Sequence, residues 1–236
     1  GLAYANAEYQ KGNRKPEFIQ AYLTYLGNAS LGKEAEKVSL DYFATLDKNN
    51  LKERKYWDIF VKYVNDVDSD IFQYVYEHRD EFYSIYGEQD VKRKIQNVWS
   101  GGANQFVRKE GDQMVLDKKG FKRYVKRMEK AKVDGWEDIV SGAEMMNAEK
   151  LGDWKTYIAL GTERIKQGKV SDLLLYNWGL RVNKQCKDKA LRLLAAQWFD
   201  EAAVNAAKNE AKGKGNMMSY RTFFEKLAKD LKADVQ

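Results

Sequence analysis

The sequence predicts an all-α protein, and three observations carry that reading. Apolar residues recur at the 3.6-residue helical period along nearly the whole chain. Only one proline, Pro16, occurs among 236 residues, so little interrupts a helix. The apolar stripes are separated by short breaks that pair glycine with Asn or Asp, residues that end one helix and cap the next.

The stripes come in order along the chain. Phe18, Ile19, Tyr22, Leu23 and Leu26 lie on one face of a first clear helix, and Pro16 sits at its first turn, where a missing N–H costs nothing. Val38, Tyr42, Phe43 and Leu46 form the next, followed by Trp57, Phe60, Val61 and Val64. Ile71, Tyr74, Val75, Phe82 and Ile85 precede Val91, Ile95, Val98 and Trp99. Phe121, Val125 and Met128 mark a strongly basic helix that Asp117 is placed to cap. Ile139, Ala143 and Met146, then Trp154, Ile158, Leu160 and Ile165, then Leu173, Leu174 and Trp178 continue the pattern. Leu191, Leu194, Ala195, Trp198 and Phe199 precede a last stripe at Tyr220, Phe223, Phe224 and Leu227. The breaks fall at Gly12-Asn13, Gly27-Asn28, Gly152-Asp153 and Gly168. Ser171-Asp172 caps the helix after Gly168, and Gly215-Asn216 precedes the last helix.

Short connections make successive helices antiparallel neighbours. Gly12 and Gly27 are 15 residues apart, and Gly152 and Gly168 are 16 apart. Helix pairs of about 34 residues are the unit of TPR solenoids, so the expected architecture is a TPR-like right-handed superhelix of about twelve helices. Leu151-Gly152-Asp153-Trp154-Lys155-Thr156-Tyr157 matches the TPR pattern only in part. Residues 106–116 read as a connecting loop or a small β-hairpin, and Gly101-Gly102 before them weakens a helix by roughly 1 kcal/mol per glycine. The expected division is therefore an N-terminal half, 2–105, and a C-terminal half, 117–236, with one continuous domain as the alternative. Asn209 to Asn216 reads as a second weak segment.

Composition excludes several chemistries. A single cysteine, Cys186, allows neither an internal disulfide nor a CxxC pair. With one histidine, His78, the chain lacks the soft and imidazole ligands of a structural zinc site. No apolar run approaches the roughly 18 residues of a membrane span. Neither a catalytic residue nor a metal or cofactor ligand set is assigned. The net charge of +6 is local: ten basic residues between Arg108 and Lys132 face four acidic ones, and the rest is neutral.

Each candidate has a plainer structural reading. His78, beside Glu77 and Asp80, has the neighbours of a general base, but no nucleophile is spaced to use it, and a surface histidine fits better. Cys186 sits among lysines that would lower its pKa, which makes it a possible reactive thiol; an incidental turn cysteine is the plainer reading. Asp66, Asp68 and Asp70 resemble the start of a calcium loop, but Ile71 stands where that loop needs glycine, so capping by Asp68 or Asp70 fits better. Lys118, Lys122, Lys126 and Lys130 form one stripe with Lys119, Arg123 and Arg127 beside it. Such a helix could track phosphates or an anionic surface, but it lacks the aromatic or base-reading partners of nucleic-acid binders, and a solvated amphipathic face fits better. Tyr22 and Tyr25, with Tyr4 and Tyr9, are candidates to line a concave binding groove, although aromatics at helical spacing are mostly core. Lys212-Gly213-Lys214-Gly215 lacks Walker spacing.

The segment from Leu2 to Leu23 resembles the stretch that follows the thioredoxin domain in a group of bacterial extracytoplasmic thioredoxin-family proteins. The resemblance rests on Tyr9, then Gly12-Asn13-Arg14, then Pro16-Glu17-Phe18, then an apolar helix to Tyr25, and covers about the first 45 residues. The family's CxxC has no counterpart here. The resemblance therefore implies an accessory helical domain separated from its catalytic partner, a reading that the abrupt helical start at Leu2 fits. It implies a periplasmic or otherwise extracytoplasmic location. The function expected is a non-catalytic module that binds protein or peptide substrate and serves an upstream thioredoxin-like oxidoreductase domain. The alternative is nucleic-acid or anionic-surface binding through helix 118–132.

Overall fold

The computed structural model describes residues 1–211 and 220–233. It is 77% helical, with thirteen α-helices among the described residues and one two-stranded sheet, so the fold is all-α. The chain forms two compact units. The first holds Gly1–Gln105 and Lys119–Ile139, and the second holds Phe106–Lys118 and the chain from Val140 onward. Residues 119–139, which carry the basic helix, thus group with the N-terminal helices.

In the first unit α1 (Leu2–Gln10), α2 (Pro16–Asn28) and α3 (Gly32–Phe43) pack in sequence. Pro16 opens α2, and Gly12 takes the left-handed conformation at φ 90°. Gly27 departs from expectation. It stays inside α2, and the left-handed residue after the helix is Ser30 at φ 59°. A 3-10 turn (Lys48–Lys52) leads to α4 (Arg54–Tyr63), α5 (Asp70–Glu77), α6 (Arg79–Tyr86) and α7 (Glu88–Ala103). The cap of α5 is Ser69, whose hydroxyl accepts from the Phe72 amide, and neither Asp68 nor Asp70 serves. Trp57 anchors this unit: its ring stacks on Tyr86 at 4.3 Å and 7°, on Phe60 at 5.1 Å and on Phe82 at 5.4 Å. Buried Trp99 gathers Phe72, Tyr76 and Tyr124 around it. Gly101 and Gly102 lie within α7 rather than ending it.

The segment left open between loop and hairpin is a hairpin. Strands β1 (Val107–Glu110) and β2 (Gln113–Leu116) pair antiparallel from Val107↔Leu116 to Glu110↔Gln113, and Gly111 turns the corner at φ 61°.

Then come α8 (Lys118–Ala131), α9 (Trp136–Leu151), α10 (Trp154–Lys166), α11 (Asp172–Gln185), α12 (Lys189–Ala211) and α13 (Arg221–Ala233). Gly152 and Gly168 adopt positive φ, Asp153 caps α10 by accepting from the Thr156 amide at 3.0 Å, and Ser171 caps α11. In the second unit α12 packs against α10, α11 and α13. Its core is built on Tyr157, Trp178, Trp198, Phe199 and Phe224, and Trp198 Nε1 donates to Thr162 Oγ1 at 2.9 Å. Of the weak segment expected at Asn209–Asn216, residues 209–211 are helical, because α12 continues to Ala211, and residues 212–216, with Gly215-Asn216, lie outside the described residues.

Candidate functional site

The helix α8 is built from an apolar side that the first unit buries and a cationic side that it leaves to solvent. Phe121 and Met128 are buried, and Tyr124 donates its hydroxyl to the Trp99 carbonyl at 2.9 Å. Tyr76 donates to the Ala131 carbonyl at 2.7 Å, satisfying an orphan acceptor at the C-terminus of α8. On the other side Lys118, Lys119, Lys122, Arg123, Lys126, Arg127 and Lys130 are all exposed. Arg127 pairs with Asp68 and lies 5.4 Å over the Trp99 ring.

This face is arranged against local electrostatics. Elsewhere the chain pairs opposite charges along its helices, as in Lys37–Asp41, Arg54–Asp58 and Lys92–Glu88. In α8 the i,i+4 neighbours are Lys118–Lys122, Lys119–Arg123, Lys122–Lys126, Arg123–Arg127 and Lys126–Lys130. Each like-charge pair costs a few tenths of a kcal/mol, on the order of 1–2 kcal/mol in sum. The first turn contains no acid and two lysines, which also opposes the helix dipole. Packing of the buried side holds the helix together despite this.

A second exposed feature lies in the second unit. Leu173, Tyr176 and Leu180 recur at i, i+3 and i+7 on α11, one side of that helix. Leu173 is 56% exposed, Leu180 42% and Phe223 of α13 41%. Tyr176 joins the two helices: its ring lies 5.3 Å from Phe223 and 6.2 Å from Tyr220. Between α12 and α13 runs a groove of about 730 Å³ lined by Ala203, Val204, Ala228 and Lys229, with Lys232 bridged to Asp200 at 2.7 Å on its rim.

The other sequence candidates are scattered over the chain. Tyr22 is not available to line a groove. It is buried, with its hydroxyl donated to Asn6 Oδ1 and its ring 5.2 Å from Tyr9. Tyr25 is 44% exposed and Tyr4 69%. His78 is exposed at the junction of α5 and α6, its ring 4.3 Å from Tyr74. Cys186 corrects the expected direction of its shift. It is 2% exposed, burial pushes the thiol pKa up, and the lysines beside it in sequence do not reverse this. Asp66 Oδ1 accepts from the Asp68 amide in a local turn. Among the described residues no group of three or more His, Cys, Asp or Glu is placed to hold a metal ion.

Two buried cations escape a reading of the sequence. Lys94 is 5% exposed and donates to the Val64 carbonyl and, at 3.4 Å, to Asn65 Oδ1. It thereby satisfies the C-terminus of α4, at the edge of a cleft of about 270 Å³ lined by Trp57, Tyr86 and Arg93. Desolvation lowers its pKa to about 8. Arg192 donates to the Asn183 carbonyl at 2.9 Å and the Asp230 carbonyl at 3.0 Å, tying the ends of α11 and α13 together. A signal exists for Lys94: it falls on the apolar stripe of Val91, Ile95 and Val98.

Comparison of the chain with protein-family models, with curated proteins and with solved structures found no match. No helix among the described residues is long and apolar enough to cross a membrane.

Proposed function

We propose that this chain is a non-catalytic helical module that binds protein or peptide segments through the exposed side of α11 and α13. The observation that carries the proposal is the exposure of Leu173, Leu180 and Phe223, with half-buried Tyr176 in ring contact with Phe223. Apolar anchors at i, i+3 and i+7 with an adjoining aromatic suit a hydrophobic segment of another chain. Aromatic side chains supply most of the energy of such contacts when they are desolvated on binding. A TPR-like stacking of the helix pairs is part of this reading, since it would present successive helices along one binding surface.

The resemblance of Tyr9–Tyr25 to the stretch after a thioredoxin domain supplies the context. The module serves an extracytoplasmic thiol-disulfide oxidoreductase by holding the cysteine-bearing polypeptide on which that domain acts. The coding sequence ahead of residue 1 tests this part: a CxxC-bearing domain is expected there, and a frame without one removes the thioredoxin link.

Binding is tested by fluorescence anisotropy with a labelled, reduced, unfolded cysteine-containing peptide. Saturable binding is expected, and L173S/F223S is expected to weaken it about tenfold or more. No binding at about 1 mM, the limit of useful affinity, would reject the module reading.

A further inference from the structure

We infer that the cationic side of α8 is a docking face for an anionic lipid surface. Lys119, Lys122, Arg123, Lys126 and Lys130 are exposed, and none of the five has an ion-pair partner among the described residues. They span about 16 Å of helix at 1.5 Å per residue. The helix keeps this stripe although its i,i+4 neighbours repel and its first turn lacks an acid. A position where local preference is overridden without a local gain marks a functional constraint.

The chemistry of the stripe selects the partner. Four of the five cations are lysines, hydrated point charges that respond to a field, rather than arginines, whose planar fork matches a single carboxylate or phosphate. α8 carries no Asn, Gln, Ser or Thr, and its one aromatic besides buried Phe121 is Tyr124, whose hydroxyl is committed to Trp99. Base readout and stacking therefore have no side chains to work with on this helix. Phe121 and Met128 are committed to the interior, so the helix lies on a surface without inserting, and the attachment is reversible and salt-sensitive. A continuous sheet of anionic headgroups is the partner that such a face fits.

The test is co-sedimentation of the full chain with phosphatidylcholine vesicles containing 30% phosphatidylglycerol, at about 0.05 and 0.5 M salt. Binding at low salt, its loss at high salt and no binding to pure phosphatidylcholine are expected. K122Q/K126Q should weaken vesicle binding roughly 30-fold, the equivalent of about 1 kcal/mol per lysine. K187Q/K189Q, which removes the same charge at the start of α12, should leave it within about twofold. Equal losses in the two variants would reduce the effect to net charge and overturn the inference. Tighter binding to random-sequence DNA or to poly-glutamate than to the anionic vesicles would overturn it as well, in favour of a nucleic-acid or acidic-protein partner.

Discussion

The phenol of Tyr124 occupies the space that a side chain on residue 102 would need. A β-carbon built on Gly102 would lie within 2.7 Å of Tyr124 Cζ, and closer still to the hydroxyl. The glycine that weakens α7 by propensity is the place where α8 comes down on it, and the Tyr124 hydroxyl then reaches the Trp99 carbonyl. G102A gains about 1 kcal/mol of helix propensity but must expel the phenol from a close-packed site. We expect a net loss of about 1–2 kcal/mol in urea unfolding. In G102A/Y124A the clash is gone, so the double variant should be less destabilised than the two single losses added together. Strict additivity would mean that the two residues do not compete for one space.

The buried amine of Lys94 should appear in the pH dependence of stability. Its pKa is about 8 in the folded chain against 10.5 as the ordinary value. Between these the unfolded chain binds more protons, so stability rises with pH across the window 8 to 10.5. The buried Cys186 thiol, raised above its ordinary 9.0, works in the opposite direction above pH 9. Comparison with K94M cancels that contribution. The wild-type curve should gain about 2 kcal/mol on the K94M curve between pH 8 and 10. Parallel curves would show that Lys94 is not desolvated in the folded protein.

Cys186 should behave as a protected thiol. It is buried, and its Sγ lies 3.8 Å from the Asp188 carbonyl. Reaction with a disulfide reagent at pH 8 should be at least about 100-fold slower in the native chain than in urea. Equal rates would restore the reading of a reactive thiol among lysines.

Much of the fold is legible in the sequence. Period 3.6 locates the helices, Pro16 the start of α2, and Gly152-Asp153 and Ser171 the limits of α10 and α11. Two features escape for specific reasons. The stripe Ile71–Ile85 reads as one helix, but His78 breaks it into α5 and α6 with φ −104° and ψ 22° at the junction. Periodicity finds an apolar face but does not say whether a tyrosine on it is covered, so Tyr22 stays open between core and groove until the packing of α1 against α2 buries it. Of the proposed sites, the basic face of α8 is visible as a charge run. The α11–α13 face is not, because Leu173 and Phe223 look like ordinary core residues until the packing leaves them outside.

Hydrogen exchange on the whole chain shows directly whether the α11–α13 face receives another polypeptide. A saturating reduced, unfolded cysteine-containing peptide should slow amide exchange within Asp172–Gln185 and Arg221–Ala233 at least about fivefold, and L173S/F223S should lose that protection. Unchanged exchange in both helices, or protection confined to the first unit, would rule out binding at this face.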